Sequence, residues 1–225
     1  PTDCAAKRVI GGIRPRGLSA AAHGHGGQRA GRPTYCKITW KFTKGVPTMS
    51  IQNEILNAIA SRRSCRAYKP EQITAEELEA VTTAGTWAAT AMGRQSPVMV
   101  AVQDKETLAE LSRLNAAVMG TQNDPFYGAP TAVLVLGEKN NPNGVQDASL
   151  VMGNLMLAAS GIGLGSCWIN RAKETLDTPE GKALLAKWGL DPEKYIGVGY
   201  CILGYPAPNG TRTPGPRKAG YVLHV

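Results

Sequence analysis

The chain has 225 residues, a formal charge of +8 and five cysteines. All of the excess charge lies in residues 1–48, where nine Lys and Arg side chains face the single acid Asp3; the remainder balances 16 basic against 16 acidic residues. A neutral remainder argues against nucleic-acid binding by the folded part, no apolar run is long enough to span a bilayer, and Cys4, Cys36, Cys65, Cys167 and Cys201 give neither a CxxC metal spacing nor an even disulfide framework, so a soluble protein of a reducing, cytoplasmic setting without a metal site is expected.

Residues 1–48 are rich in Gly, Ala, Arg and His, with no sustained apolar periodicity. They read as a disordered basic leader or a non-native extension. They lack the apolar stretch of a secretory signal, while a transit peptide and a nucleic-acid-binding arm stay open. Met49 directly precedes the first well-patterned helix, which places one domain at 49–225.

That helix spans Ile51 to Ala60 and sets Ile51, Ile55, Leu56 and Ile59 on one face, the spacing of a buried stripe. Arg62-Arg63-Ser64-Cys65-Arg66 follows. Three guanidinium groups and a hydroxyl at a helix end suit bidentate phosphate contact, and a solvated basic end that complements the helix dipole is the alternative. Thr74 and Glu77 form a capping-box pattern that opens a second helix reaching about Ala84. Val98–Val102 reads as an internal strand. Lys105–Met119 is a helix carrying Leu108, Leu111, Leu114 and Val118, and Gly128-Ala129-Pro130 leads into a buried strand at Thr131–Leu136.

Asp147–Ser160 is an apolar helix whose Leu150, Val151, Leu155, Met156, Leu157 and Ala158 predict burial on several sides. Gly161, Gly163 and Gly165 follow a helix and precede the strand Ser166–Ile169. A dinucleotide-binding glycine loop has the reverse order, so these glycines are read as helix termination followed by close backbone packing. A shorter helix at Pro179–Trp188 and a strand at Tyr195–Tyr205 complete an α+β or α/β sandwich.

Separated segments, in order, resemble the FMN-dependent nitroreductase family, in its short single-domain subgroup. They are Arg62-Arg63-Ser64-x-Arg66, Trp87 through Pro97, Phe126-Tyr127-Gly128-Ala129-Pro130, Asp147 through Trp168, and Gly204-Tyr205-Pro206 followed by Pro216-Arg217-Lys218. The resemblance implies an α+β nitroreductase-like three-layer α/β/α sandwich forming an intertwined homodimer, with FMN at the subunit interface. It implies that Arg62, Arg63, Ser64 and Arg66, joined by Arg217 and Lys218, hold the phosphate and ribityl end. Ala89, Thr90, Ala91, Gly93 and Gln95 would approach the same flavin from the partner subunit. Asn115 is similar in position to a residue that bonds the pyrimidine edge, and the backbone of Cys167, Trp168, Ile169 and Asn170 would face the isoalloxazine. Ala89 and Gly93 stand where many members have proline and asparagine, and Gln95-Ser96-Pro97 where many have Gln-Pro-Trp.

The implied activity is FMN-dependent NAD(P)H oxidation with reduction of nitroaromatic, quinone or similar electron-poor small-molecule acceptors, in a ping-pong cycle with NADH or NADPH as donor. No catalytic side chain is required. Cys167, in an apolar strand without a basic sequence neighbour, reads as an inert buried thiol, and Trp168 and Tyr127 are candidates for the acceptor site, with core packing the alternative for Trp168. A non-catalytic flavin-binding protein for FMN storage, sensing or delivery is the alternative function. A nucleic-acid-binding role for the leader is the third, and it requires salt-sensitive binding that vanishes without residues 1–48.

Overall fold

Runs of β-branched and aliphatic residues between turn signals build the framework. In the computed structural model, which describes Ile51 and residues 53–225, the helices are α1 (Glu54–Ser61), α2 (Ala75–Thr86), α3 (Lys105–Met119), α4 (Gly144–Gly161), α5 (Ala172–Leu176) and α6 (Pro179–Lys187). The strands are β1 (Val98–Val102), β2 (Thr131–Glu138), β3 (Gly165–Ile169) and β4 (Tyr195–Gly204). The basic leader and the boundary at Met49 lie outside the described residues.

The strands form one antiparallel sheet in the order β1-β2-β4-β3. Side chains alternate faces along a strand. Ala132, Leu134 and Leu136 of β2, Tyr200 and Ile202 of β4, and Cys167 and Ile169 of β3 join a core with α3, α5 and α6. Val133, Val135, Cys201 and Leu203 point the opposite way, to a core with Val81 of α2 and Val151, Met152 and Leu155 of α4. Helices on both faces explain why β2 and β4 are apolar without alternation.

The capping box at Thr74 is formed in both directions: Glu77 N–H donates to Thr74 Oγ1 (3.1 Å) and Thr74 N–H donates to Glu77 Oε2 (2.8 Å). Asp104 caps α3 by accepting the Thr107 N–H (2.9 Å). Gly163, at φ +85°, adopts the left-handed conformation that ends α4.

Three expectations are corrected. β1 is an edge strand among the described residues, not an internal one; of its five apolar residues only Val102 is buried, and Ala101 is exposed. The apolar stripe of α1 is not buried: Ile55 is 68% exposed and Ile59 53%. Leu150 of α4, 52% exposed, also faces outward. The α5 turn, five residues after a left-handed Arg171 (φ +67°), is too short to show a helical period and was not predicted.

Candidate functional site

The arginine segment leaves α1 at Arg62, where the backbone turns extended (φ −54°, ψ 133°). It is then stitched to two distant segments. Cys65 N–H donates to the Ser166 carbonyl of β3 (2.8 Å), and Arg66 N–H donates to the Gly210 carbonyl (2.7 Å). Cys65 is fully buried and packs so closely on β3 that a Cβ at Gly165 would lie 2.8 Å from its Sγ. Cys65 therefore anchors a loop whose neighbours carry the charge.

Arg63 folds back on the end of α1, its Nη1 donating to the carbonyls of Ala60 (2.7 Å) and Arg62 (2.6 Å). Its Nε, and Nη1 of Arg62, are buried with no partner among the described residues. The Arg63 guanidinium is held below the usual arginine pKa, first by desolvation and then by the charges of Arg217 and Arg62. Arg217, remote in sequence, thus comes within electrostatic reach of the loop. None of the ion pairs among the described residues, Lys173–Asp177, Lys182–Glu193 and Lys194–Glu138, involves these arginines. Like charges gathered around buried N–H groups, with no carboxylate paired to them among the described residues, have the chemistry to accept an anion. Arg66, in the same loop, and Lys218, next to Arg217 in sequence, are exposed.

The loop covers only the start of the outer edge of β3, where Ser64 pairs with Ser166. Backbone groups of a strand alternate between its two sides. Because the Ser166 carbonyl points outward to Cys65, the N–H and carbonyl of Trp168 point to the same outer edge, which no strand borders among the described residues. The Trp168 indole turns inward and packs with the α2–α4 core; a Cβ at Gly199 would lie 2.4 Å from its Nε1. Cys167 is buried. Asn115 is fully buried, and its amide donates to the Asn170 carbonyl (2.8 Å) and to Thr175 Oγ1 (3.4 Å), leaving Oδ1 without a partner among the described residues. Its side chain braces the turn after β3 from behind.

The loop carrying Ala89, Thr90, Ala91, Gly93 and Gln95 lies elsewhere. Ala91 N–H donates to Asp147 Oδ1 in the first turn of α4 (3.0 Å), whereas Ser166 beneath the arginine loop donates from Oγ to the Met156 carbonyl (3.4 Å). Asp147 and Met156 are separated by nine steps along α4, roughly 14 Å at ~1.5 Å per residue. One copy of the chain therefore holds the two groups apart. Sequence reasoning missed Asp147 and Asn141, which carry this second loop; their partners are 56 and 45 residues away, and no local pattern announces them. A groove of about 830 Å³ between α3 and the segment at 121–130, with Lys105, Arg113 and Phe126 in its lining, contains none of the site residues expected from sequence.

Comparison with known proteins gives the same assignment as these segments. The nitroreductase family matches residues 59–122 and 118–205, a span that includes both loops and all four strands. A protein of Archaeoglobus fulgidus named "Putative NADH dehydrogenase/NAD(P)H nitroreductase" is 31% identical over 160 residues, 68% of this chain and 86% of that protein. One of the same name from Methanothermobacter thermautotrophicus is 29% identical over 191 residues, covering 78% of this chain and 93% of its own. The crystal structure of a nitroreductase with bound FMN from Bacteroides fragilis is 33% identical and superposes with a TM-score of 0.71 over 77% of this chain and 100% of that one. With its antiparallel α+β architecture and both loops inside the matched span, the chain belongs to the nitroreductase family.

Proposed function

We propose that this chain is an FMN-dependent NAD(P)H oxidoreductase that reduces nitroaromatic, quinone or similar electron-poor acceptors as an intertwined, three-layered homodimer. The observation that carries the reading is the arginine loop: among the described residues, buried guanidinium N–H groups of Arg62 and Arg63 have no partner and no carboxylate pairs with them, while Arg217 lies within electrostatic reach. A terminal phosphate fits that chemistry. Arg62, Arg63, Ser64, Arg66 and Arg217 would hold it, with Lys218 at the rim.

The open edge of β3 adjoins the arginine loop, so the backbone of Cys167 to Asn170 would carry the ring system, Trp168 offering its N–H and Asn115 fixing the turn beyond. FMN held there would supply the redox chemistry that links NADH or NADPH to the acceptor. The protein's part is to hold, orient and shield. The distance along α4 between the two loops supports a second copy, whose Ala89, Thr90, Ala91, Gly93 and Gln95 would complete each site. The exposed Ile55, Ile59, Trp87 and Leu150, and the exposed apolar tail at Tyr221, Val222, Leu223 and Val225, are surface that such a dimer would cover. The working domain is placed at 49–225, in a reducing cytoplasmic setting that keeps Cys65, Cys167 and Cys201 as thiols.

The test is turnover. Purified protein loaded with FMN should oxidise NADH or NADPH in the presence of a nitroaromatic or a quinone. No acceptor-dependent oxidation across both donors and both acceptor classes overturns the catalytic reading and leaves FMN storage, sensing or delivery.

A further inference from the structure

Between Thr90 and Ser96 the chain takes a shape that ordinary residues avoid. Met92 (φ +54°), Gly93 (φ +63°) and Gln95 (φ +51°) all lie in the left-handed region, and two of the three carry side chains. Such conformations persist only where the surroundings over-determine them. Here the determinants are polar and mostly buried. Asp147 is 3% exposed and Asn141 6%. Asp147 Oδ1 accepts the Ala91 N–H (3.0 Å), and its Oδ2 accepts a hydrogen bond from Asn141 Nδ2 (3.4 Å). The same Nδ2 donates to Ser96 Oγ (2.9 Å), and Asn141 Oδ1 accepts the Asn143 N–H (3.0 Å). Thr90 Oγ1 closes the neck by accepting the Gln95 N–H (3.0 Å).

The mount is itself stiff. Asn141 sits in the turn between β2 and α4, tied by its N–H to the Glu138 carbonyl (3.2 Å), and a Cβ at Gly144 would lie only 2.3 Å from that carbonyl oxygen. Asp147 has no cation paired with it among the described residues. A carboxylate buried for packing alone would gain nothing from gripping a strained, exposed loop.

We infer that Asp147 and Asn141 are positioning residues: through Ala91 and Ser96 they clamp the Thr90–Gln95 loop in its ligand-ready shape before any ligand arrives. This rests on the reading that the loop meets the flavin held by a second copy. Asp147→Asn keeps the acceptor for Ala91 but sets two amide donors against each other at Asn141. The swap Asp147→Asn with Asn141→Asp reverses that pair, keeps the net charge, and lets Ser96 turn its hydroxyl to donate.

The experiment measures hydrogen exchange of the peptide spanning 88–97 in full-length, FMN-free protein, and FMN affinity by flavin fluorescence. Asp147→Asn should speed exchange at Ala91 and weaken FMN binding by about tenfold each; Ser96→Ala, a milder change, by about threefold; and the swap should restore both. Unchanged exchange in Asp147→Asn overturns the clamp. Faster exchange with unaltered FMN affinity makes it purely structural and overturns the positioning role. A wild-type chain that takes up no FMN refutes the functional reading instead, and the exchange data still report separately on the clamp.

Discussion

Replacing Arg62 by Ala separates a residue kept for a ligand from one kept for the fold. Its Nη1 is buried with no partner among the described residues, and a neighbouring guanidinium, Arg63, is already depressed by desolvation and by the charges of Arg217 and Arg62. Removal therefore costs the ligand-free protein no hydrogen bond from that atom and relieves like-charge repulsion, so apo stability should hold or rise. The liganded protein loses a charge-assisted phosphate contact worth about 1.5–3 kcal/mol, which at ~1.4 kcal/mol per decade weakens FMN roughly 10- to 150-fold. Riboflavin, which lacks the phosphate, should be held equally by both proteins. The assay is fluorescence titration with FMN and riboflavin alongside thermal melting of the apo forms. Equal losses for both ligands, or a melting temperature that falls while FMN affinity holds, would show that Arg62 does not hold the phosphate.

Three further outcomes follow from the same structure. Gly165→Ala would push a methyl to 2.8 Å from Cys65 Sγ, an overpacking that should cost ~1–3 kcal/mol in denaturant unfolding and lower FMN affinity by moving the arginine loop; wild-type values would show the contact can relax. Burial raises the Cys201 thiol above its ordinary 9.0 and, with neighbouring thiols, the Tyr68 phenol above its ordinary 10.0. Their protonated forms are favoured in the fold, so their contribution is intact below pH 9 and is lost as pH rises further, by up to ~1.4 kcal/mol per unit for each group; Cys201→Ala should flatten the loss between pH 9 and 10, and an unchanged curve would contradict this. Ile55→Asp with Ile59→Asp should leave the monomer folded, since both side chains are exposed, and shift sedimentation from dimer towards monomer; a dimer of unchanged affinity would place the interface elsewhere.

Local signals made most of the framework legible. Thr74 with Glu77 and the glycines after α4 mark element ends through chemistry that acts over a few residues, and the strands are short apolar runs between such marks. What failed depends on partners. The apolar run at Val98–Val102 marks a strand and is silent on how many strands flank it. The stripe on α1 reports that something apolar should cover it, and among the described residues nothing does. Asp147 and Asn141 bond to residues 56 and 45 positions away, and a polar side chain carries no periodicity from which such partners can be inferred. Arg62 and Arg63 could be singled out because their chemistry is concentrated in five residues; that Arg217 reaches them followed only from the family resemblance.

The most direct test of the account is the visible spectrum of the purified full-length protein, recorded without oxygen before and after NADH or NADPH is added. Flavin absorbance, present as isolated or acquired on adding FMN, should bleach with at least one donor. Protein that stays colourless after incubation with FMN would contradict it at the arginine site, and bound flavin that neither donor reduces would contradict the oxidoreductase claim.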